Sequence, residues 1–119
     1  MEDNGLQFKE YAGKENTYIL TISKNLKGGE EEGFLDYTNE FFKDKSKIEI
    51  LAVDIEISPF GIDSRGFGKL LGLIQKVKNL GGETRFSNIG EKFERLLETR
   101  CGGYNLFKVY PSLDEALKY

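Results

Sequence analysis

The fold is decided by the stretch Ile48-Glu49-Ile50-Leu51-Ala52-Val53-Asp54-Ile55. Apolar and β-branched residues dominate it, which is typical of a strand that other elements cover on both faces. A break containing proline and glycine follows, and apolar residues then recur at helical spacing. The sequence therefore predicts a central β-strand that leads through a turn into an α-helix.

This helix is predicted to run from Ser64 to Leu80 and to end at Gly81-Gly82. Its apolar positions follow the i, i+3, i+4, i+7 pattern of a buried stripe, which comprises Phe67, Leu70, Leu71, Ile74 and Val77. Its charged side chains are all basic: Arg65, Lys69, Lys76 and Lys78. The segment from Glu30 to Asp44 is predominantly acidic, so the segregated charge either steers a partner or belongs to two ordinary solvated faces.

Two strands and a helix are predicted before the central strand. Leu6–Tyr11 and Thr17–Ile22 alternate roughly between apolar and polar residues, which indicates a hairpin. After Gly28-Gly29, the residues Phe34, Tyr37 and Phe41 recur at helical spacing. They predict an acidic amphipathic helix.

A strand and a helix are predicted after the long helix. Glu83–Ser87 is a short strand candidate. Asn88 and Glu91 have the spacing of a capping box, which would open a helix through Phe93, Leu96 and Leu97.

The last strand is predicted at Leu106–Tyr110, and a short helix at Leu113–Tyr119, with Ser112 and Glu115 in capping-box spacing. The element order is therefore β-β-α-β-α-β-α-β-α. Repeated strand-helix-strand units predict right-handed crossovers and a mostly parallel mixed sheet in an α/β fold, with the N-terminal hairpin antiparallel and about four helices. Residues 1–119 are expected to form a single domain.

Composition narrows the functional class. Hydrophobic residues make up 39% of the 119 residues and charged residues 31%, which is typical of a folded globular domain. The net charge of −3 gives no general attraction to nucleic acid or to an anionic membrane, so neither is expected as a partner. The single cysteine, Cys101, cannot form an internal disulfide, and we see no signal peptide or long apolar run, so a cytoplasmic protein is expected.

Histidine is absent, which removes the usual general base, the commonest metal ligand and the familiar nucleophile pairs. We therefore expect no catalytic residue, metal or cofactor. Asp54, Glu56 and Asp63 fall near predicted strand ends, where α/β enzymes place their sites, but carboxylates there also cap helices. Cys101 beside Arg100 is either redox-sensitive or a small packing residue.

The turn before the long helix carries a family resemblance. The segment Ile62-Asp63-Ser64-Arg65-Gly66-Phe67-Gly68-Lys69-Leu70-Leu71 resembles the Asp-Ser-Ser-Gly-Leu-Gly turn of the STAS domain family, which takes its name from sulfate transporters and anti-sigma factor antagonists. Asp63, Ser64, Gly66 and Gly68 match four of the six positions. Asn79–Glu83 and Tyr110–Leu117 are similar to later family segments. The stretch from Ile48 through Tyr119 is similar to the family, and the N-terminal hairpin and first helix fit its order, so the resemblance covers nearly the whole chain.

The resemblance implies a non-catalytic regulator that binds an anti-sigma factor or serine-kinase-type protein and is a monomer or weak homo-oligomer. In phosphorylatable relatives, the kinase modifies the second serine of this turn, and the matching position here is Arg65. The implied partner-binding residues are Asp63, Ser64, Arg65, Gly66, Phe67, Gly68 and Lys69. The alternative is a STAS scaffold or small-ligand sensor without a phosphorylation cycle.

Three residues of this turn have more than one interpretation. Ser64 is a possible phosphoacceptor, but an Asp-Ser pair before a helix is also what N-capping requires. Arg65 has no hydroxyl and is electrostatically opposite to phosphoserine, so it keeps the domain binding-competent, redirects it to another partner, or is an ordinary solvated residue. Gly66 and Gly68 do not fit a phosphate-binding loop, and tight backbone packing is the expected reason for both.

Overall fold

The computed structural model describes residues 2–3, 5–29, 31–57, 61–101 and 107–118, and the side chains of all of these except residues 2, 3, 100 and 101. The strands are β1 (Glu2–Asp3), β2 (Leu6–Glu10), β3 (Thr17–Ile22), β4 (Ile50–Ile55), β5 (Glu83–Ser87) and β6 (Phe107–Tyr110). The helices are α1 (Phe34–Phe42), α2 (Ser64–Asn79), α3 (Glu91–Cys101) and α4 (Leu113–Lys118).

The strands form one mixed sheet in the order β1-β2-β3-β4-β5-β6. β1 with β2 and β2 with β3 are antiparallel, and every later pair is parallel. β4 lies between β3 and β5, with Thr21 opposite Asp54 and Asp54 opposite Ser87. The predicted fold class, hairpin and central strand are therefore confirmed, and β1 is an additional two-residue strand at the sheet edge.

Helices cover both faces of the sheet. Side chains of α1, α2 and α3 share the larger core with one face, which includes Leu51, Val53 and Ile55 of β4. On the other face, Ala116 and Leu117 of α4 pack with Ile19 and Ala52. All six residues of β4 are buried, which confirms that its apolar run forms a strand covered on both faces.

Helix α2 has the predicted position, but its buried stripe differs at one place. Phe67, Leu70, Ile74 and Val77 are buried as predicted. Leu71 is only partly buried, whereas Leu73 is fully buried. The buried sector is wide enough to include Leu73 because α2 packs against the sheet, α1 and α3 together.

The predicted capping box at Asn88 is wrong. Helix α3 begins at Glu91, and its first-turn bond runs from the Glu94 N–H to the Gly90 carbonyl, so Gly90 occupies the cap position. Asn88 has a positive φ of 60° and donates from its side-chain amide to Asp54. Asparagine tolerates this left-handed backbone better than most residues.

One of the two hydrogen bonds of the predicted capping box before α4 is present: the Glu115 N–H donates to Ser112 Oγ at 3.2 Å. Leu106 and Tyr119, which were predicted to begin the last strand and to end the last helix, lie outside the described residues.

Candidate functional site

The turn before α2 is held against the loop that follows β3. The Leu26 N–H donates to the Gly61 carbonyl at 2.7 Å, and the Asp63 N–H donates to the Leu26 carbonyl at 3.2 Å. Leu26 and Ile62 form an isolated parallel bridge, and both side chains are buried. Backbone pairing and apolar burial therefore fix the turn that precedes α2.

Asp63 caps α2 and joins the two loops. Its Oδ1 accepts from the Gly66 N–H at 3.0 Å, which satisfies a free donor of the first helical turn. Its Oδ2 accepts from the Gly28 N–H at 3.1 Å. The hydrogen bonds from Gly66 and Gly28 lower the pKa of the Asp63 carboxyl below its ordinary value, because they stabilise the ionised form.

Gly66 is required by close packing. A Cβ at this position would lie 2.0 Å from the Leu26 carbonyl oxygen and 2.6 Å from Ile62 Cγ1. The next residue, Phe67, is 4% exposed and packs on Phe93 with the ring centroids 5.7 Å apart. Gly66 and Phe67 therefore support the turn from the core and contribute almost no exposed surface of their own.

Ser64, Arg65 and Gly68 are the exposed residues of the turn. Ser64 is the first residue of α2, and the capping carboxylate belongs to Asp63, so the capping interpretation of the Asp-Ser pair applies to the aspartate. The first turn of α2 contains no acidic residue. Arg65 therefore places positive charge beside the positive end of the helix dipole, where the Asp63 carboxylate already provides a negative charge.

Gly68 differs from Gly66. A Cβ at Gly68 would meet no heavy atom within 4 Å, so the expected tight packing is wrong at this position. Gly68 and Lys69 line a shallow groove of about 320 Å³ between α2 and the start of α1, with Arg65 on the same side. We call this surface the α1–α2 groove; its residues are Glu31, Glu32, Leu35, Arg65, Gly68 and Lys69.

The two oppositely charged segments meet at this groove. Glu32 is exposed on the α1 side, facing the basic residues of α2 across the groove. Glu31 is only 1% exposed, and its carboxylate accepts from the Gly29 N–H at 3.0 Å, so it stabilises the glycine loop. The sequence showed the opposite charges only as separate segments of the chain, and the fold places Glu32 of the acidic segment beside Arg65 and Lys69 of the basic one.

Two of the three carboxylates considered for catalysis, Asp54 and Asp63, already have hydrogen-bond partners in the fold. Asp54 is 8% exposed and accepts from Ser87 Oγ at 3.3 Å and from the Asn88 side chain. Asp63 is the helix cap, and Glu56 is exposed. Within the part of the chain that the structure describes, no group of three or more Cys, Asp or Glu residues could hold a metal ion.

Cys101 is the last residue of α3, and its side chain lies outside the described set, so its two interpretations stay open. Among the described residues, no helix has both the length and the apolar character needed to cross a membrane.

Sequence reasoning missed the contribution of Leu26 and Gly28. The pair Gly28-Gly29 indicated only a break before α1, whereas the structure places the Gly28 N–H on the Asp63 carboxylate. These residues lie 35 positions apart, and nothing local in the sequence links them.

Comparisons with known proteins agree with this architecture. The family model of the STAS domain matches residues 9–116. The solved structure described as "NMR Structure of the protein TM1081" superposes with a TM-score of 0.69 at 19% identity, over 99% of this chain and 90% of that chain. At that identity the likeness concerns the fold alone. The comparison with curated proteins found no match at the significance required.

Proposed function

Because the chain belongs to the STAS domain family, we propose that it is a protein-binding regulator of the anti-sigma factor antagonist type. STAS domains are in general non-catalytic regulators. The proposed partner is an anti-sigma factor with a serine-kinase-type domain. The proposed contact surface is the exposed part of the turn and the first turns of α2: Ser64, Arg65, Gly68 and Lys69.

One observation carries this proposal: the turn is fixed by contacts with the loop after β3 and is exposed on its solvent side. Both carboxylate oxygens of Asp63 are bonded to backbone N–H groups, and Gly66 packs on the Leu26 carbonyl. Arg65 remains exposed on this fixed support. A preformed surface binds a partner with little loss of conformational entropy, so the arrangement suits recognition.

Arg65 determines how the surface would be regulated. An arginine cannot be phosphorylated, and its charge is opposite to that of phosphoserine. The partner surface should therefore offer a carboxylate opposite Arg65, which the guanidinium can bind with two parallel hydrogen bonds. In this proposal the domain stays in its binding-competent form whatever the kinase activity of its partner.

Ser64 is the remaining hydroxyl of the turn. It is exposed, and it begins a 16-residue helix whose N-terminal dipole would stabilise a phosphate. In this proposal Ser64 is at most a secondary acceptor.

Site-specific photo-crosslinking in the native host tests the proposal. A benzoylphenylalanine at position 68, beside Arg65 in the proposed contact surface, should capture a protein with an ATP-binding anti-sigma kinase domain, identified by mass spectrometry. The matched control carries the same probe at Lys9, an exposed residue of β2. Equal capture from both positions, or no capture of such a protein, would overturn the proposal, and capture of STAS domains only would favour the scaffold alternative.

A further inference from the structure

The α1–α2 groove carries opposite charges on its two sides. Arg65, Gly68 and Lys69 stand at i, i+3 and i+4 on one face of α2. Glu32 is exposed on the other side, in the turn that leads into α1. The groove thus has a basic wall and an acidic wall.

These charged side chains stay accessible: Glu32 and Arg65 are exposed, although Arg65 also interacts electrostatically with the Asp63 carboxylate. None of the ion pairs within 4.0 Å among the described residues involves Glu32, Arg65 or Lys69. The pairs that do form lie elsewhere in the fold, as Lys43 with Glu40 and Arg95 with Glu91 illustrate. The groove therefore presents both signs of charge to a binding partner.

We propose that the α1–α2 groove is a contact surface between two copies of this chain, related by a twofold axis. A twofold interface uses the same patch on both copies, so the patch must be complementary to itself. A surface with one acidic and one basic wall meets this condition. The rotation sets Glu32 of each copy against Arg65 and Lys69 of the other.

The floor of the groove suits such an approach. Gly68 has no side chain, and the space where a Cβ would stand is open. Leu35 is partly buried beside Gly72, where a Cβ would lie 3.1 Å from Leu35 Cδ2. The open position at Gly68 and the neighbouring apolar Leu35 give the interface a small apolar centre inside a charged rim, as protein interfaces commonly have.

The patch is small, so the association should be weak. Stable interfaces bury about 1,200 to 2,000 Å² in total, which is more than six groove residues on each copy supply. Self-association also covers Arg65 and Lys69. It would therefore compete with the kinase-type partner, a consequence that rests on the proposed function, whereas the self-association itself does not.

Charge-swapped variants test the interface by sedimentation equilibrium of the full chain. The acidic variant is Arg65→Glu with Lys69→Glu, and the basic variant is Glu32→Lys. Each alone should dimerise at least about tenfold more weakly than the wild type, because like charges meet across the axis. An equimolar mixture should restore association, since acidic walls then face basic walls at both contacts.

The mixture separates a specific interface from general attraction. Both variants keep a net negative charge, so nonspecific electrostatics would not bring them together. Lys9→Glu on β2 is the control and should dimerise as the wild type does. A monomeric wild type at millimolar concentration, or a mixture no more associated than its components, would overturn the interface. Partner capture from position 68 is measured separately, so either proposal can fail alone.

Discussion

The Oδ2 atom of Asp63 accepts a hydrogen bond from the Gly28 N–H at 3.1 Å, across 35 residues of sequence. The other carboxylate oxygen, Oδ1, caps α2 through the Gly66 N–H. A single side chain thus fixes the loop after β3 and the start of α2 together. Two exposed residues of the candidate site, Ser64 and Arg65, depend on this side chain for their position.

Replacing Asp63 should loosen the turn without unfolding the sheet. Asp63→Ala removes the cap and the bond to Gly28, and we expect the Tm to fall by roughly 5 °C. Asp63→Asn keeps one oxygen acceptor, so its Tm should fall by less than that of Asp63→Ala. Thermal unfolding followed by circular dichroism measures both, with Asp44→Ala, an exposed acid beyond α1, as the control. A Tm unchanged in Asp63→Ala would show that the cap is dispensable.

Acid should remove the contribution of Asp63. Because the hydrogen bonds from Gly66 and Gly28 lower its pKa in the folded state, the ionised carboxylate stabilises the fold fully above its ordinary pKa of 3.8. That stability is lost as the pH falls through the lower pKa of the folded state. The Tm difference between wild type and Asp63→Asn should therefore be constant from neutral pH to about pH 5 and shrink below about pH 4. A difference that grows with acidity would contradict this linkage.

Alanine substitutions at Gly66 and Gly68 of α2 should have opposite effects on stability. Gly66→Ala places a Cβ 2.0 Å from the Leu26 carbonyl oxygen, so it should destabilise the fold by about 1–3 kcal/mol. Gly68→Ala meets nothing within 4 Å and should stabilise the helix by about 0.5–1 kcal/mol. Urea unfolding of both variants gives the free energies. Equal effects would mean that the packing at Leu26 is not what requires glycine.

The opposite face of the sheet depends on a buried arginine. Arg85 is 7% exposed, donates from Nη1 to the Ala116 carbonyl at 2.8 Å, and pairs with Glu83. Arg85→Met leaves that carbonyl without its donor, and we expect a loss of about 2–3 kcal/mol in urea unfolding.

Arg95→Met is the control for the arginine variant. Arg95 also pairs with a glutamate, Glu91, but both side chains are mostly exposed, so its loss should cost at most about 0.5 kcal/mol. Similar losses in the two variants would show that burial of Arg85 is unimportant.

The fold was predictable because its signals are local. The apolar run of β4 and the periodicity of α2 identify a strand and a helix without reference to the rest of the chain. Glycine pairs and the cap at Ser112 mark where elements end and begin. The failures at Asn88 and Leu71 arose where tertiary contacts outweigh local pattern. Asn88 bonds to Asp54 on the neighbouring strand, and the packing around α2 sets which residues are buried.

The candidate site was predictable only in part. The resemblance placed the turn, and Asp63, Ser64 and Arg65 occupy the positions it implied at the start of α2. Which of its residues are exposed could not be read from the turn itself. Burial of Gly66 and the nearness of Glu32 depend on the β3–α1 loop packing against α2, and burial of Phe67 depends on its contact with Phe93 of α3.

In the proposed function, Arg65 is the exposed contact for a kinase-type anti-sigma factor. The most direct test titrates the purified chain calorimetrically against each such protein encoded by its own organism. We predict that the wild type and Lys9→Glu bind one of them equally well, and that Arg65→Glu binds it at least about tenfold more weakly. Undiminished binding of Arg65→Glu, or no binding of the wild type to any of them, would contradict the claim.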